Sequence, residues 1–194
     1  MRIATAGGML LPSGMRKISL PLMATTLLAT MLVSACSPKF NWRDYRSNDA
    51  PYTVQFPGKP AQQTRTVDLD GQQVSLTMAA TEIDGTTFAV ASGELPDAAH
   101  AQMAMQAMKT AMVKNIDGVV SSNKVSAVSS GNAGGVQQTS IDIEAKGRQN
   151  GASMLLSGKF IAKDKRVYQV IVVGHEKQVV RDTVDTFISS FKLN

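Results

Sequence analysis

Few side chains in this sequence combine the type and the spacing that chemistry needs. There are two histidines, His100 and His175, and one cysteine, Cys36. A zinc site would have to unite both imidazoles with carboxylates brought in by the fold, so two surface histidines are the simpler expectation. Ser121-Ser122-Asn123-Lys124 spells the S-x-x-K string of penicillin-binding acyl enzymes. That chemistry sets Ser and Lys on a helix with companion S-D-N and K-T-G strings. Neither companion occurs, and the string opens a predicted strand, so a chance match is expected. Asp68-Leu69-Asp70-Gly71 begins like a calcium loop but lacks the later ligands and the closing Glu, and a hairpin turn accounts for it. No P-loop or dinucleotide fingerprint occurs; Gly134-Gly135 is an isolated pair in a Ser/Asn/Gly loop. No cofactor, no metal and no catalytic residue are expected.

Cys36 is different, because of what precedes it. Residues 1–35 contain no Asp or Glu, carry Arg2, Arg16 and Lys17, and run apolar from Ile18 to Val33. A basic start, a short apolar stretch and a small-residue end describe a secretory leader. The stretch is interrupted by Pro21 and is shorter than the roughly 20 apolar residues a membrane span requires. Met15-Arg16-Lys17 would open a leader of ordinary proportions, so translation is expected to begin there. Val33-Ser34-Ala35-Cys36 resembles the bacterial lipobox: an aliphatic residue, two small ones and the cysteine that takes lipid. The resemblance implies cleavage before Cys36, a diacylglycerol on its sulfur and a further acyl chain on the freed amine. At about 0.8 kcal/mol per buried methylene, several long chains hold a protein on a membrane where one short chain does not. Ser37 after the cysteine resembles the sorting preference for the outer membrane, facing the periplasm.

Charge adds little. The formal net charge is +5, but three of the 20 basic residues lie in the leader, and without them the balance is about +2. Nucleic acid is therefore not an expected partner. The remaining basic cluster is Lys159, Lys163, Lys165 and Arg166, around Asp164. It reads as a solvated hairpin turn, or more sharply as a contact for anionic lipid or glycan, at about 1 kcal/mol per basic residue near such a surface.

These residues are positioned by elements legible in the apolar pattern. Residues 36–50 are polar and read as a tether, with Phe40, Trp42 and Tyr45 expected to dock on the domain rather than on the membrane interface. A single domain spans 51–194. Strands are predicted at 52–56, 64–69, 73–78 and 87–92, punctuated by Pro57-Gly58, Asp70-Gly71 and Asp84-Gly85. A helix follows from Asp97, which caps it, to Asn115, with Met105, Met108, Met112 and Ile116 on one stripe widened by Ala101, Ala104 and Ala111. Strands at 119–128, 137–145, 152–162 and 167–173 come next, the middle pair joined at Asn150-Gly151. In the second of these, Ile141, Ile143 and Ala145 alternate with Asp142, Glu144 and Lys146, leaving one face wet. The last has a continuous apolar run, as expected of a strand covered on both faces. A closing helix over 178–191 places Val180, Val184, Phe187, Ile188 and Phe191 on one stripe. The predicted class is α+β: a mostly antiparallel sheet of about seven strands packed by two helices.

The domain's opening, Phe56-Pro57-Gly58-Lys59-Pro60 after an extended strand, resembles that of small bacterial lipoproteins with PsbP-like folds, with DcrB-type periplasmic proteins in the same neighbourhood. The close, Phe187-Ile188-Ser189-Ser190-Phe191, is similar to the end of their last helix, and the Phe88 strand leading into a Met- and Ala-rich helix is similar too. The resemblance implies a fold, and a role as a binding or assembly accessory without catalysis. No metal position of the plant PsbP proteins is matched.

The expected function is that of a lipid-tethered, non-enzymatic module of the cell envelope, bound to the membrane through Cys36 and to an envelope protein. One alternative is a carrier of a small ligand or lipid, in a cleft between sheet and helix lined by Met105, Met108 or Phe160. The other is a hydrolase whose site only the fold assembles.

Overall fold

The computed structural model describes residues 39–129 and 137–194. Cys36, the leader and Gly134-Gly135 lie outside them. Local turn chemistry sets up the strands. Asp70-Gly71, Asp84-Gly85 and Asn150-Gly151 all have positive φ at both positions, the type I′ geometry whose twist matches antiparallel neighbours. They join β3 (Ala61–Leu69) to β4 (Gln72–Ile83), β4 to β5 (Thr86–Glu94), and β7 (Gln137–Gln149) to β8 (Ala152–Lys163). Asp164-Lys165 joins β8 to β9 (Arg166–His175). With β6 (Val119–Ser129) these strands form one seven-stranded antiparallel sheet in the order β3-β4-β5-β9-β8-β7-β6.

The predicted first strand of that sheet is elsewhere. β2 (Tyr52–Phe56) lies in a separate three-stranded sheet, between β1 (Arg43–Arg46) and β10 (Lys192–Leu193). Residues 43–46, read from composition as tether, are therefore an edge strand of the fold. The reason is aromatic: Tyr45 meets Phe56 edge-on at 5.5 Å, and Trp42 packs on the same cluster. Docking of these rings, expected on the domain, is what the fold uses.

The large sheet is covered on both faces, so β9 is mostly apolar and mostly buried. On one face α1 (Ala98–Asn115) lays Ala101, Ala104, Met105 and Met108 over Ile141, Ile143, Leu156, Phe160 and Ile171. Asp97 caps it, its Oδ1 accepting the His100 N–H at 2.9 Å. Ala111, assigned to the buried stripe, is exposed, because it sits roughly 120° around the helix from Met105. On the other face the small sheet and α2 (Arg181–Ser190) enclose Phe88, Val90, Tyr168, Val170 and Val172, with Phe187 5.4 Å from Phe88 and 5.2 Å from Phe56. α2 begins at Arg181, three residues later than its pattern suggests, and Val180 is its exposed N-cap rather than a core residue. The α+β class stands, with a second small sheet added.

Candidate functional site

Among the described residues β6 is an edge strand, hydrogen-bonded to β7 on one side only. After a register shift between Val120 and Ser122 its pairing is regular. Edge strands are normally short, polar or covered. β6 instead exposes Val119 (76%), Val125 (62%) and Val128 (62%). The opposite edge, β3, is polar along its exposed length, and its Gln62 is tied down by Tyr45 and Asp49.

On the face shared with α2, β6 runs into a groove of about 450 Å³. Its floor is made of two cross-strand rows. Lys124, Asp142 and Lys159 stand at opposed positions on β6, β7 and β8, as do Ser122, Glu144 and Ser157. α2 supplies the facing wall, with Val184, Asp185, Ile188 and Ser189. Lys159 pairs with Asp142 at 2.9 Å. The Glu144 carboxylate accepts from both terminal nitrogens of Arg181, which holds that guanidinium further above its ordinary pKa, chiefly through the hydrogen bond and then through charge. Both pairs are partly exposed, so each is worth no more than about 1 kcal/mol.

Polar groups in the groove are left over, the exposed Asp185 carboxylate and the Ser122 hydroxyl as well as Lys124 and Ser157. Lys124 has no carboxylate within 4 Å among the described residues. Ser157 is only 4% exposed, and its hydroxyl has no hydrogen-bond partner among them. Nothing there takes its proton, and the nearest amine along β8, that of Lys159, is engaged by Asp142. The arrangement offers donors and an apolar wall to a bound group rather than an activated nucleophile.

A larger depression, about 630 Å³, crosses the small sheet and α2. Gln55 there donates to Asp44 at 2.9 Å and its N–H to Ser190 Oγ at 2.9 Å, while Arg46 and Lys192 have no carboxylate within 4 Å among the described residues. The smaller groove is the better site because it runs along the edge strand that exposes Val119, Val125 and Val128.

The structure separates the residues singled out by type. Lys159 lies about 13 Å along β8 from Lys163, within the groove and not with the turn. Arg166 pairs with Glu94 at 2.5 Å and donates to the Asp49 carbonyl at 3.4 Å, which leaves Lys163 and Lys165 as the unpaired ammonium groups of that hairpin among the described residues. His100 lies in the first turn of α1 and His175 at the end of β9, and no group of three ligating side chains occurs among the described residues. Ser121 donates to the Glu144 carbonyl at 3.2 Å from an edge strand, not from a helix. Asp68 is used by its turn, accepting from the Gly71 N–H at 2.7 Å and from Gln73 at 2.8 Å. Met105, Met108 and Phe160, expected to line a ligand cleft, are 0, 3 and 0% exposed and belong to the solid core. Among the described residues none of the three lines a cleft.

Pattern alone did not reveal the open edge. Its one signal is the run Ser121-Ser122-Asn123-Lys124, polar on both faces where an interior strand would be apolar. Among the described residues no helix is long and apolar enough to cross a membrane. No protein-family model and no curated protein matches the chain.

Proposed function

We propose that this protein is a lipid-tethered module of the cell envelope, of the PsbP-like kind, which binds another envelope protein and catalyses nothing. The tether is Cys36, in the lipobox-like Val33-Ser34-Ala35-Cys36, and Ser37 favours the periplasmic leaflet of the outer membrane. The observation that carries the binding role is the β6 edge, where exposed valines adjoin unpaired backbone groups along a strand of eleven residues. Such an edge is a liability unless something pairs with it.

Photo-crosslinking in cells tests the reading. A photoreactive residue replacing Val125 is expected to give a discrete adduct with one envelope protein, while one replacing Thr64, exposed on the β3 edge, gives none. Absence of an adduct at Val125, or equal adducts from both positions, would overturn it.

A further inference from the structure

We infer that the β6 edge receives an extended segment of its protein partner by strand addition, and that this segment carries an acidic residue opposite Lys124, flanked by apolar β-branched residues. The inference rests on the binding-module reading and names the chemistry of what is bound.

The pairing geometry comes first. From Ser122 onward β6 keeps an uninterrupted antiparallel register with β7, so its free side presents N–H and C=O groups at regular spacing. An incoming extended chain can satisfy these as an eighth strand. Main-chain bonding of this kind gives affinity, while the side-chain rows on each face decide what sequence fits.

The row facing α2 alternates in sign: Lys159, Asp142, Lys124. Asp142 is held by Lys159 at 2.9 Å, and Lys124 is left without an anion among the described residues. The next position in that row lies on the incoming strand. A carboxylate there continues the alternation, and an ammonium there meets like charge. On the opposite face the row runs Phe160, Ile141, Val125. Ile141 is 1% exposed and Val125 is 62% exposed, because α1 packs on β7, β8 and β9 and does not reach the edge. Successive side chains on a strand point to opposite faces, so residues on either side of the acidic one fall beside Val125 and Asn123. Apolar β-branched side chains there extend the buried face by one strand.

Symmetric pairing of β6 with β6 of a second copy is the wrong arrangement: Lys124 is the one charged residue in Val119–Ser129, so that pairing brings no carboxylate to it.

The test uses the full chain carrying Cys36→Ala, with two capped heptapeptides, Val-Thr-Val-Asp-Val-Thr-Val and its analogue with Lys at the centre. Binding is read by fluorescence anisotropy and location by amide hydrogen exchange. The Asp peptide is expected to bind about three- to fivefold more tightly and to protect β6 amides, the preference to reverse in Lys124→Glu, and to vanish in Lys124→Gln. N-methylation of alternate peptide amides is expected to abolish binding. Equal affinity for both peptides, protection away from β6, no binding at millimolar peptide, or a dimer with protected β6 amides each overturns the inference. A crosslinked partner at Val125 with no peptide bound leaves the binding-module reading standing and this inference lost. Peptide binding at β6 without any cellular adduct reverses that result.

Discussion

Gly147 on β7 passes directly against the carbonyl of Ile116, the C-terminal cap of α1. A Cβ built on Gly147 would lie 2.1 Å from that oxygen and 2.8 Å from the Gly118 Cα, and the next residue, Arg148, donates its N–H to the same carbonyl at 2.7 Å. The helix end is closed by Asp117, at φ 46°, and by the Gly118 N–H bonding back to the Val113 carbonyl at 2.9 Å. The end of α1, the start of β6 and the end of β7 thus form one joint, and that joint places the β6 edge.

Gly147→Ala is expected to destabilise the domain by about 2 kcal/mol or more, because both obstructing atoms are backbone and neither can rotate away. Chemical denaturation of the purified variant measures it. A loss below about 0.5 kcal/mol would show that the joint is looser than the geometry indicates.

Core truncation separates the methionines of α1. Met105 is 0% exposed and Met103 is 49% exposed. Met105→Ala is expected to cost about 2–5 kcal/mol and Met103→Ala a few tenths. Similar losses from both would contradict the assigned helix face.

Asp97 links stability to pH. Its carboxyl is held below the ordinary value, first by the His100 N–H bond and then by the His100 side chain, whose Nδ1 is 2.8 Å away. A carboxylate with a lowered folded pKa contributes stability above its unfolded value, near 3.8, and loses it as pH falls through the folded value. Asp97→Asn keeps a capping side chain without the titration. Melting temperatures from pH 5 downward are expected to fall more steeply for the native chain than for the variant; parallel curves would contradict this.

Cys36→Ala is expected to move the protein from the detergent-requiring membrane fraction into a soluble or unprocessed form. Fractionation with mass measurement of the N-terminus is the check. A variant that still behaved as mature, membrane-held protein would end the lipoprotein reading.

Periodicity and turn chemistry, both local, already specified most of the architecture. Asp-Gly and Asn-Gly pairs marked three hairpins because few residues besides Gly, Asn and Asp accept positive φ, and the apolar run of β9 announced a strand buried on both sides. The proposed leader and lipidation of Cys36 rest on a linear signal that no strand pairing informs. Four things required the tertiary structure, because each depends on pairing between segments far apart in the chain. Arg43–Arg46 looked like tether until Tyr45 met Phe56. Met105, Met108 and Phe160 could have lined a cleft as well as a core, and closure of α1 on β7 to β9 decided for the core. The basic cluster around Asp164 divided because β8 carries Lys159 away to Asp142 while β5 brings Glu94 to Arg166. The open edge followed from the order of strands in the sheet: β5 paired with β9, so among the described residues β6 was left with a neighbour on one side and Lys124 with no carboxylate within 4 Å, its cross-strand neighbour Asp142 being paired with Lys159.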